Sequence, residues 1–547
     1  MTATLRRELD NIAAMLQSGN AEQAAKRALK GSKKNPNILG FSILAGSALG
    51  NLGRNKEAAA QFQKVYKDRP DDPKAQDNLI LSLILSKNYQ MAQVLIERHS
   101  GARATSAEFQ HLRALHAYEN RWYPKAIDAC EQALRIRPNW LEVKLMQANA
   151  HAHMQKTDAA ISLLNSILEE FPNEVHARWA RATILVSQGS NSQAFEEILR
   201  VLDQDPTHTA AIFSAAYMPD LSDAKRTEID KRIQVADRAL TDSNDKLRFP
   251  LEFARYLQAA AKSKDGSALE LLNSAKSKEA KLRPFKSSTA EKSLRQTLAM
   301  TSIPAASTPD TQSPRPILVT GLPRSGTTLI ERTISAHSEV IGCGEMRSVG
   351  RWAKDSNFTE TVDGLAAQYR VELPKTNPEI RAFVDKMPAN FRFLGQISAA
   401  FPEASLILVE RDPRDVALSM WRTHFSDAGM RYTLDQKWMA EEVNRFKKYT
   451  NHWRKLLGPR LHVIRYETLV QNFEIEAKAL ADACGLSWQE AMLHPEDVTD
   501  SVSTASLHQV RKSVNDKSVG RWRENKQLLA RFCENLDENL WPGLSET

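Results

Sequence analysis

Two groups of residues in the second half of the chain have the types and spacing needed to hold anions. The first is Gly321-Leu322-Pro323-Arg324-Ser325-Gly326-Thr327-Thr328, which follows the β-branched run Ile317 to Thr320 and precedes Leu329, Ile330 and Ile334 at helical spacing. Strand, turn and helix in that order make a phosphate cradle. The glycines allow a tight turn that presents N–H groups, the helix start offers its positive end, and Thr327 and Thr328 add hydroxyls. Arg324 brings a fixed cation into the loop. The second group is Arg411-Asp412-Pro413-Arg414-Asp415, with Ser419 about two turns along the helix that Pro413 opens. Arg411 and Ser419 could therefore converge on one phosphate. Taken alone, the same stretch also reads as a charged strand end.

The elements that must position these groups are short. Ile317–Thr320, Ser405–Glu410 and Leu461–Ile464 are apolar runs, each followed by a helical stretch, which predicts a parallel α/β sheet with ligands at the carboxyl ends of its strands. The loop spacing matches G-x-x-x-x-G-K-[ST], except that Thr327 stands where nucleotide-hydrolysing loops place lysine.

Ahead of this region the chain repeats itself. Ala24, Ala58, Ala92, Ala126, Ala160 and Ala194 are each 34 residues apart, as are Pro36 and Pro70, and Pro138, Pro172 and Pro206. The same frame puts Ile12, Gly46, Ile80, Ala114, Ala148 and Ala182 in a first helix, and Ala28, Phe62, Ile96, Cys130, Leu164 and Ile198 in a second. Gly53 and Gly189 fall at the turn between the two. Ala104 breaks the frame where proline is expected. The pattern resembles the tetratricopeptide repeat, in which small residues let paired helices approach closely. The resemblance implies an all-α solenoid of six units over residues 1–208, with a peptide or protein partner on its concave face. Residues 209–300 read as degenerate or capping helices, including a stretch with Ala268, Leu269, Leu271, Leu272 and Ala275 on one side. Residues 301–315 read as a Ser-, Thr- and Pro-rich linker, and 316–547 as the second domain.

The 547 residues carry 74 Lys+Arg against 66 Asp+Glu, a mild excess that suits an anionic ligand and does not argue for nucleic acid. The four cysteines form no C-x-x-C pair, so neither a disulfide framework nor a zinc site is expected. The N-terminal stretch lacks a secretory pattern and no run reaches the length of a membrane span, so the expected location is cytoplasmic.

Taken together, the two anion-binding groups resemble the sulfotransferase superfamily, whose 5′-phosphosulfate loop matches Leu322 to Thr328 and whose 3′-phosphate motif pairs arginine and serine as Arg411 and Ser419 are paired. The resemblance implies an α/β, P-loop-like domain with a central parallel sheet, and 3′-phosphoadenosine-5′-phosphosulfate as donor without a metal. Arg324, Ser325, Gly326, Thr327 and Thr328 would hold the 5′ side, and Arg411 and Ser419 the 3′-phosphate. No histidine stands near Lys386, where cytosolic members place their base. Instead, Gly342-Cys343-Gly344-Glu345 is similar to the tyrosylprotein branch, whose glutamate is the base, which implies Glu345, Lys386 and Arg324 as catalytic residues. Asp385 and Met387 depart from that branch's segment. Ser506 and Arg521 match its late segment and imply further donor contacts. His337, His424, His452 and His494 are rival bases without a suitable lysine partner, and Trp421, Trp438 and Trp453 are core or pocket walls.

A sulfuryl group in flight carries less negative charge than a phosphoryl group, so fixed cations can replace magnesium. A hydroxyl acceptor, protein tyrosine among the candidates, must lose its proton as it attacks, and Glu345 could accept it. The alternatives are a P-loop kinase or nucleotide hydrolase, and a repeat scaffold with an idle second domain.

Overall fold

The 34-residue period is written into twelve helices of the computed structural model, which describes residues 2–240, 245–262, 267–306, 309–355, 362, 364–373, 377–498 and 513–544. They run in pairs: α1 (Ala3–Gln17) with α2 (Ala21–Lys34), α3 (Leu39–Asn51) with α4 (Asn55–Asp68), and α5 (Pro73–Leu85) with α6 (Tyr89–His99). The next pairs are α7 (Ala107–Glu119) with α8 (Tyr123–Ile136), α9 (Leu141–His153) with α10 (Thr157–Glu170), and α11 (Val175–Gln188) with α12 (Asn191–Gln204). All six periodic alanines lie in the second helix of a pair and none exposes any surface. A methyl group is the largest side chain that lets two helix backbones approach this closely, and Gly46 shows the limit: a Cβ there would meet the Phe62 ring at 2.6 Å. Where Ala104 replaces proline, the turn is held instead by Arg103, which is ion-paired with Asp77 and sits 5.0 Å over the Phe109 ring.

The turn inside each pair repeats a left-handed backbone. Gly19, Gly53, Lys87, Arg121, Gln155 and Gly189 all have positive φ, between 59° and 82°, at the same place in the frame. Only three of the six are glycine. A side chain in this conformation costs about 1–2 kcal/mol, partly offset because glycine loses more freedom on folding. Lys87→Gly and Gln155→Gly are therefore expected to stabilise the chain by about 0.5–1 kcal/mol each, a gain measurable by urea unfolding.

The chain divides into two compact units, Met1–Pro172 and Asn173–Thr547. The first holds five of the helix pairs. The second opens with α11 and α12 and continues through α13 (Thr209–Ala216), α14 (Asp223–Ala239), α15 (Asp245–Lys262), α16 (Ser267–Leu282) and α17 (Ser287–Leu298). On α16 the expected apolar side is corrected. Leu271 is 40% exposed, and the buried stripe runs Ala268, Leu272, Ala275, Lys276, Glu279. Burial here follows helical spacing rather than side-chain polarity.

The parallel sheet then begins at β1 (Arg315–Gly321), two residues earlier than the apolar run suggested, followed by α18 (Thr327–Ser335), β2 (Val340–Gly342), α19 (Ser348–Asp355) and α20 (Leu365–Glu372). It continues with β3 (Ala382–Asp385), α21 (Leu394–Ala400), β4 (Ser405–Glu410) and α22 (Pro413–Trp421). The last elements that matter for the site are α23 (Gln436–Leu457), β5 (Leu461–Arg465), α24 (Tyr466–Gln471) and α25 (Phe473–Ala483). Strand order is β2-β3-β1-β4-β5 with every pairing parallel, so the cradle strand β1 is central. β2 and β3 were not among the three sequence-predicted strands. At three and four residues they are too short to show a period.

Successive residues of β1 face opposite sides of the sheet, and both sides are covered. Ile317 and Val319 pack with Ile330 and Ile334 of α18 and Leu480 of α25, whereas Leu318 joins the core built by α21, α22 and α23. Trp453 lies in that core with no exposed surface, its indole donating to the Phe391 carbonyl at 2.8 Å. The Pro-rich segment before β1 is tied down: Arg370 forks onto the Asp310 carboxylate at 2.7 and 2.9 Å, and the Asp310 amide donates to the Ala400 carbonyl.

Candidate active site

The cradle loop joins β1 to α18, and its geometry follows from two left-handed residues. Gly326 caps α18 with φ 102°, and a Cβ there would stand 2.3 Å from the Tyr466 ring. No other residue fits. Arg324 also has positive φ, 69°, a conformation costly for arginine that turns its side chain toward α22. Its Nε donates to Ser419 Oγ at 2.9 Å, so the cation of the first group meets the serine of the second. Burial, with Arg411 adding to it, holds the Arg324 pKa below the ordinary arginine value. Ser325 is 1% exposed and its Oγ has no hydrogen-bond partner, while Thr327 and Thr328 open α18.

Arg411 directly follows β4. It donates through Nη1 to the Arg324 carbonyl at 3.1 Å and through Nη2 to the Ser518 carbonyl at 2.6 Å, and lies 4.4 Å over the Tyr466 ring. Its Nε is buried without a partner. The segment around Ser518 is held against α22 by Asp415, whose carboxylate accepts from the Gly520 and Trp522 amides at 2.6 and 2.9 Å. Between loop, α22 and this segment lies a cavity of about 480 Å³, lined among others by Arg324, Gly326, Thr328, Arg411, Ser419 and Arg521. Among the described residues its basic members are Arg324, Arg411, Arg422, Lys517 and Arg521, against one carboxylate, Asp415, already engaged by two amides. The unpaired Nε of Arg411 and this charge excess are features that suit a multiply charged anion.

Glu345 and Lys386 come together next to the cradle, although neither is among the residues lining the cavity. Glu345 follows β2 and Lys386 follows β3, and because these strands are neighbours the two side chains meet, Nζ to Oε1 2.7 Å. Arg351 and Arg347, which could have claimed Glu345, pair with Glu372 and Asp427 instead. Lys386 is 1% exposed and lies 3.9 Å from Glu331 of α18. Burial pushes the Lys386 ammonium down, but Glu345 and Glu331 outweigh it, and its pKa lies above the usual lysine range. Asp385, the departure noted in the sequence, is fully buried and accepts from Tyr369, Asn390 and the Met346 amide, which fixes the end of β3 beneath Lys386. Burial raises its pKa to about 7 against those donors.

Ser506 lies outside the described residues. His424 is caged by Phe213, Phe249 and Phe253, where burial, with Lys276 and Arg283 adding, pushes its pKa down to about 4. Sequence reasoning missed Tyr217, Asn515, Lys517 and Ser518 as cavity residues. They sit in no motif, and only the tertiary fold brings them to the cradle. Among the described residues no group of acidic, histidine and cysteine side chains could hold a metal, and no helix is long and apolar enough to cross a membrane.

The second unit thus contains a parallel α/β domain with the glycine-bearing loop and Arg411 at the carboxyl ends of its central strands. Residues 316–490 match the sulfotransferase family, and residues 117–184 match the tetratricopeptide repeat. The chain carries a sulfotransferase-family domain preceded by tetratricopeptide repeats. Among relatives, an uncharacterized protein of Aquifex aeolicus (strain VF5) is 26% identical over 92% of this chain and 70% of its own length. A putative protein-tyrosine sulfotransferase of Caenorhabditis briggsae is 28% identical over 38% of this chain and 80% of its own. Among solved structures, the sulfotransferase domain of the Synechococcus PCC 7002 olefin synthase is 20% identical, with 42% of this chain and 98% of that domain covered, at a TM-score of 0.30.

Proposed function

We propose that the protein transfers a sulfuryl group from 3′-phosphoadenosine-5′-phosphosulfate to a hydroxyl acceptor. The observation that carries this reading is the convergence of Arg324, Arg411, Ser419 and Arg521 on one cavity at the mouth of the cradle. Two phosphate sites in one pocket suit a nucleotide phosphorylated at both the 3′ and 5′ positions. The cradle residues Ser325 to Thr328 with Arg324 hold the 5′ side, and Arg411, with Ser419 beside Arg324, holds the 3′-phosphate. In transfer, the acceptor oxygen bonds to sulfur as the bond from sulfur to the 5′-phosphate oxygen breaks. Lys386 and Arg324 offset the charge growing on that oxygen, and Glu345 takes the acceptor proton. No metal is needed in this scheme.

Protein tyrosine is the proposed acceptor class, supported by the name of the Caenorhabditis briggsae relative and by the repeats, a type of scaffold suited to presenting a peptide. In this reading residues 1–208 recruit the acceptor or a partner, 209–300 cap the array, 301–315 link, and 316–547 catalyse. The four free thiols suit a reducing compartment, and the proposed location is the cytoplasm.

The test is transfer of labelled sulfate by the purified full-length chain to tyrosine peptides and simple phenols, alongside calorimetry with adenosine 3′,5′-bisphosphate. Arg411→Ala is expected to weaken that nucleotide by about 10- to 100-fold, as loss of a charged hydrogen-bond donor should. Preferential binding of magnesium ATP over the bisphosphate would make the domain a kinase or hydrolase instead.

A further inference from the structure

One described residue of the cavity comes from between the repeat pairs and the start of the sulfotransferase-matched segment. Tyr217 follows α13, stands outside residues 316–490, and lines the same cavity as Arg324, Arg411 and Ser419.

Its position is fixed by a chain of contacts that ends on Ser419. The Tyr217 ring stacks on Phe213 at 5.6 Å, and Phe213 lies 4.8 Å from His424. His424 directly follows Thr423, whose hydroxyl donates to the Ser419 carbonyl at 2.7 Å. Lys276 of α16, with no exposed surface, donates to the carbonyls of Thr423 and Thr433 at 3.0 and 3.3 Å, and Trp421 donates to Asn273 at 3.1 Å. These contacts lock α13 and α16 onto the end of α22, the helix that carries Ser419. A segment that only capped a solenoid would need none of these polar ties.

We infer that Tyr217 is a donor-binding residue, its hydroxyl donating to the 3′-phosphate held by Arg411 beside Ser419, so that the helices after the repeats complete the nucleotide site. This rests on the proposed sulfuryl-donor reading. A phenol suits this position because it adds a neutral hydrogen-bond donor where four guanidinium groups already line the cavity, and its ring brings rigidity at little entropic cost.

The experiment compares full-length wild type and Tyr217→Phe, which keeps the ring and its stacking, by calorimetry with adenosine 3′,5′-bisphosphate and with adenosine 5′-monophosphate. The preference for the bisphosphate is expected to fall about tenfold, with monophosphate affinity unchanged. A preference equal to wild type, or an equal weakening of both nucleotides, overturns the inference and leaves the donor reading standing. Failure of the wild type to bind the bisphosphate, with Arg411→Ala no different, overturns the donor reading itself and this inference with it.

Discussion

Glu345→Gln in the full-length chain is expected to slow sulfuryl transfer by about 10²–10⁴-fold, the usual contribution of a positioned general base, with adenosine 3′,5′-bisphosphate affinity kept within about twofold. The split between the two readouts follows from geometry. Glu345 and Lys386 meet at 2.7 Å beside the cradle rather than in the cavity wall, so the amide should change proton transfer and leave the nucleotide contacts in place. Gln is isosteric, and its carbonyl oxygen still accepts from Lys386. Lys386→Ala is the less informative change. It would leave Glu331 and Glu345 facing each other without their cation, and Glu331 is already pushed toward its neutral form by burial. A loss of stability on the order of 3 kcal/mol would then accompany the loss of rate. Turnover of Glu345→Gln near wild type, measured as labelled product per minute, would remove Glu345 from the mechanism.

The second large effect concerns Lys276. Burial pushes its pKa down to about 7 from 10.5, and no carboxylate is paired with it among the described residues. Between pH 7 and 10.5 the unfolded chain keeps a proton that the folded chain has given up, so stability rises with pH across that window and is flat below it. The whole shift is worth roughly 5 kcal/mol. Lys276→Met removes the titrating group but leaves the Thr423 and Thr433 carbonyls without their donor, at a cost of about 1–3 kcal/mol. The variant should therefore be more stable than wild type at pH 7, by about 2 kcal/mol, and less stable at pH 10.5. Urea unfolding at several pH values reads the crossing directly. A stability difference that stays constant over that range would mean that Lys276 does not titrate there.

The placement of the two groups was legible in the sequence because each is local: Gly321 to Thr328 is one strand-to-helix connection, and Arg411 and Ser419 lie just after one strand and on the helix that follows it. The periodic alanines were legible for the same reason, since helix pairs are contacts between near neighbours in sequence. What escaped was either too short or too distant. Lys87, Arg121 and Gln155 take the same left-handed turn as Gly53, but only glycine advertises it. β2 and β3 gave no periodic signal, although they are what brings Glu345 to Lys386. Lys276 occupies a core position on the buried stripe of α16, and a stripe read by polarity stops just before it. Tyr217 reaches the cavity only through tertiary packing.

The strand order has a consequence for biosynthesis. Each helix pair of the first unit is complete within about one 34-residue frame, so it can form as soon as it leaves the ribosome. The cradle strand cannot. β1 ends at Gly321, but its two partners, β3 and β4, begin at Ala382 and Ser405, and the outer strand β5 arrives only at Leu461. Parallel sheets with such long crossovers fold slowly, because loop-closure entropy is spent before the pairings are gained. Newly made chains should thus hold a finished repeat array while β1 is still unpaired, and for that interval its apolar edge is the part of the molecule most in need of protection from aggregation.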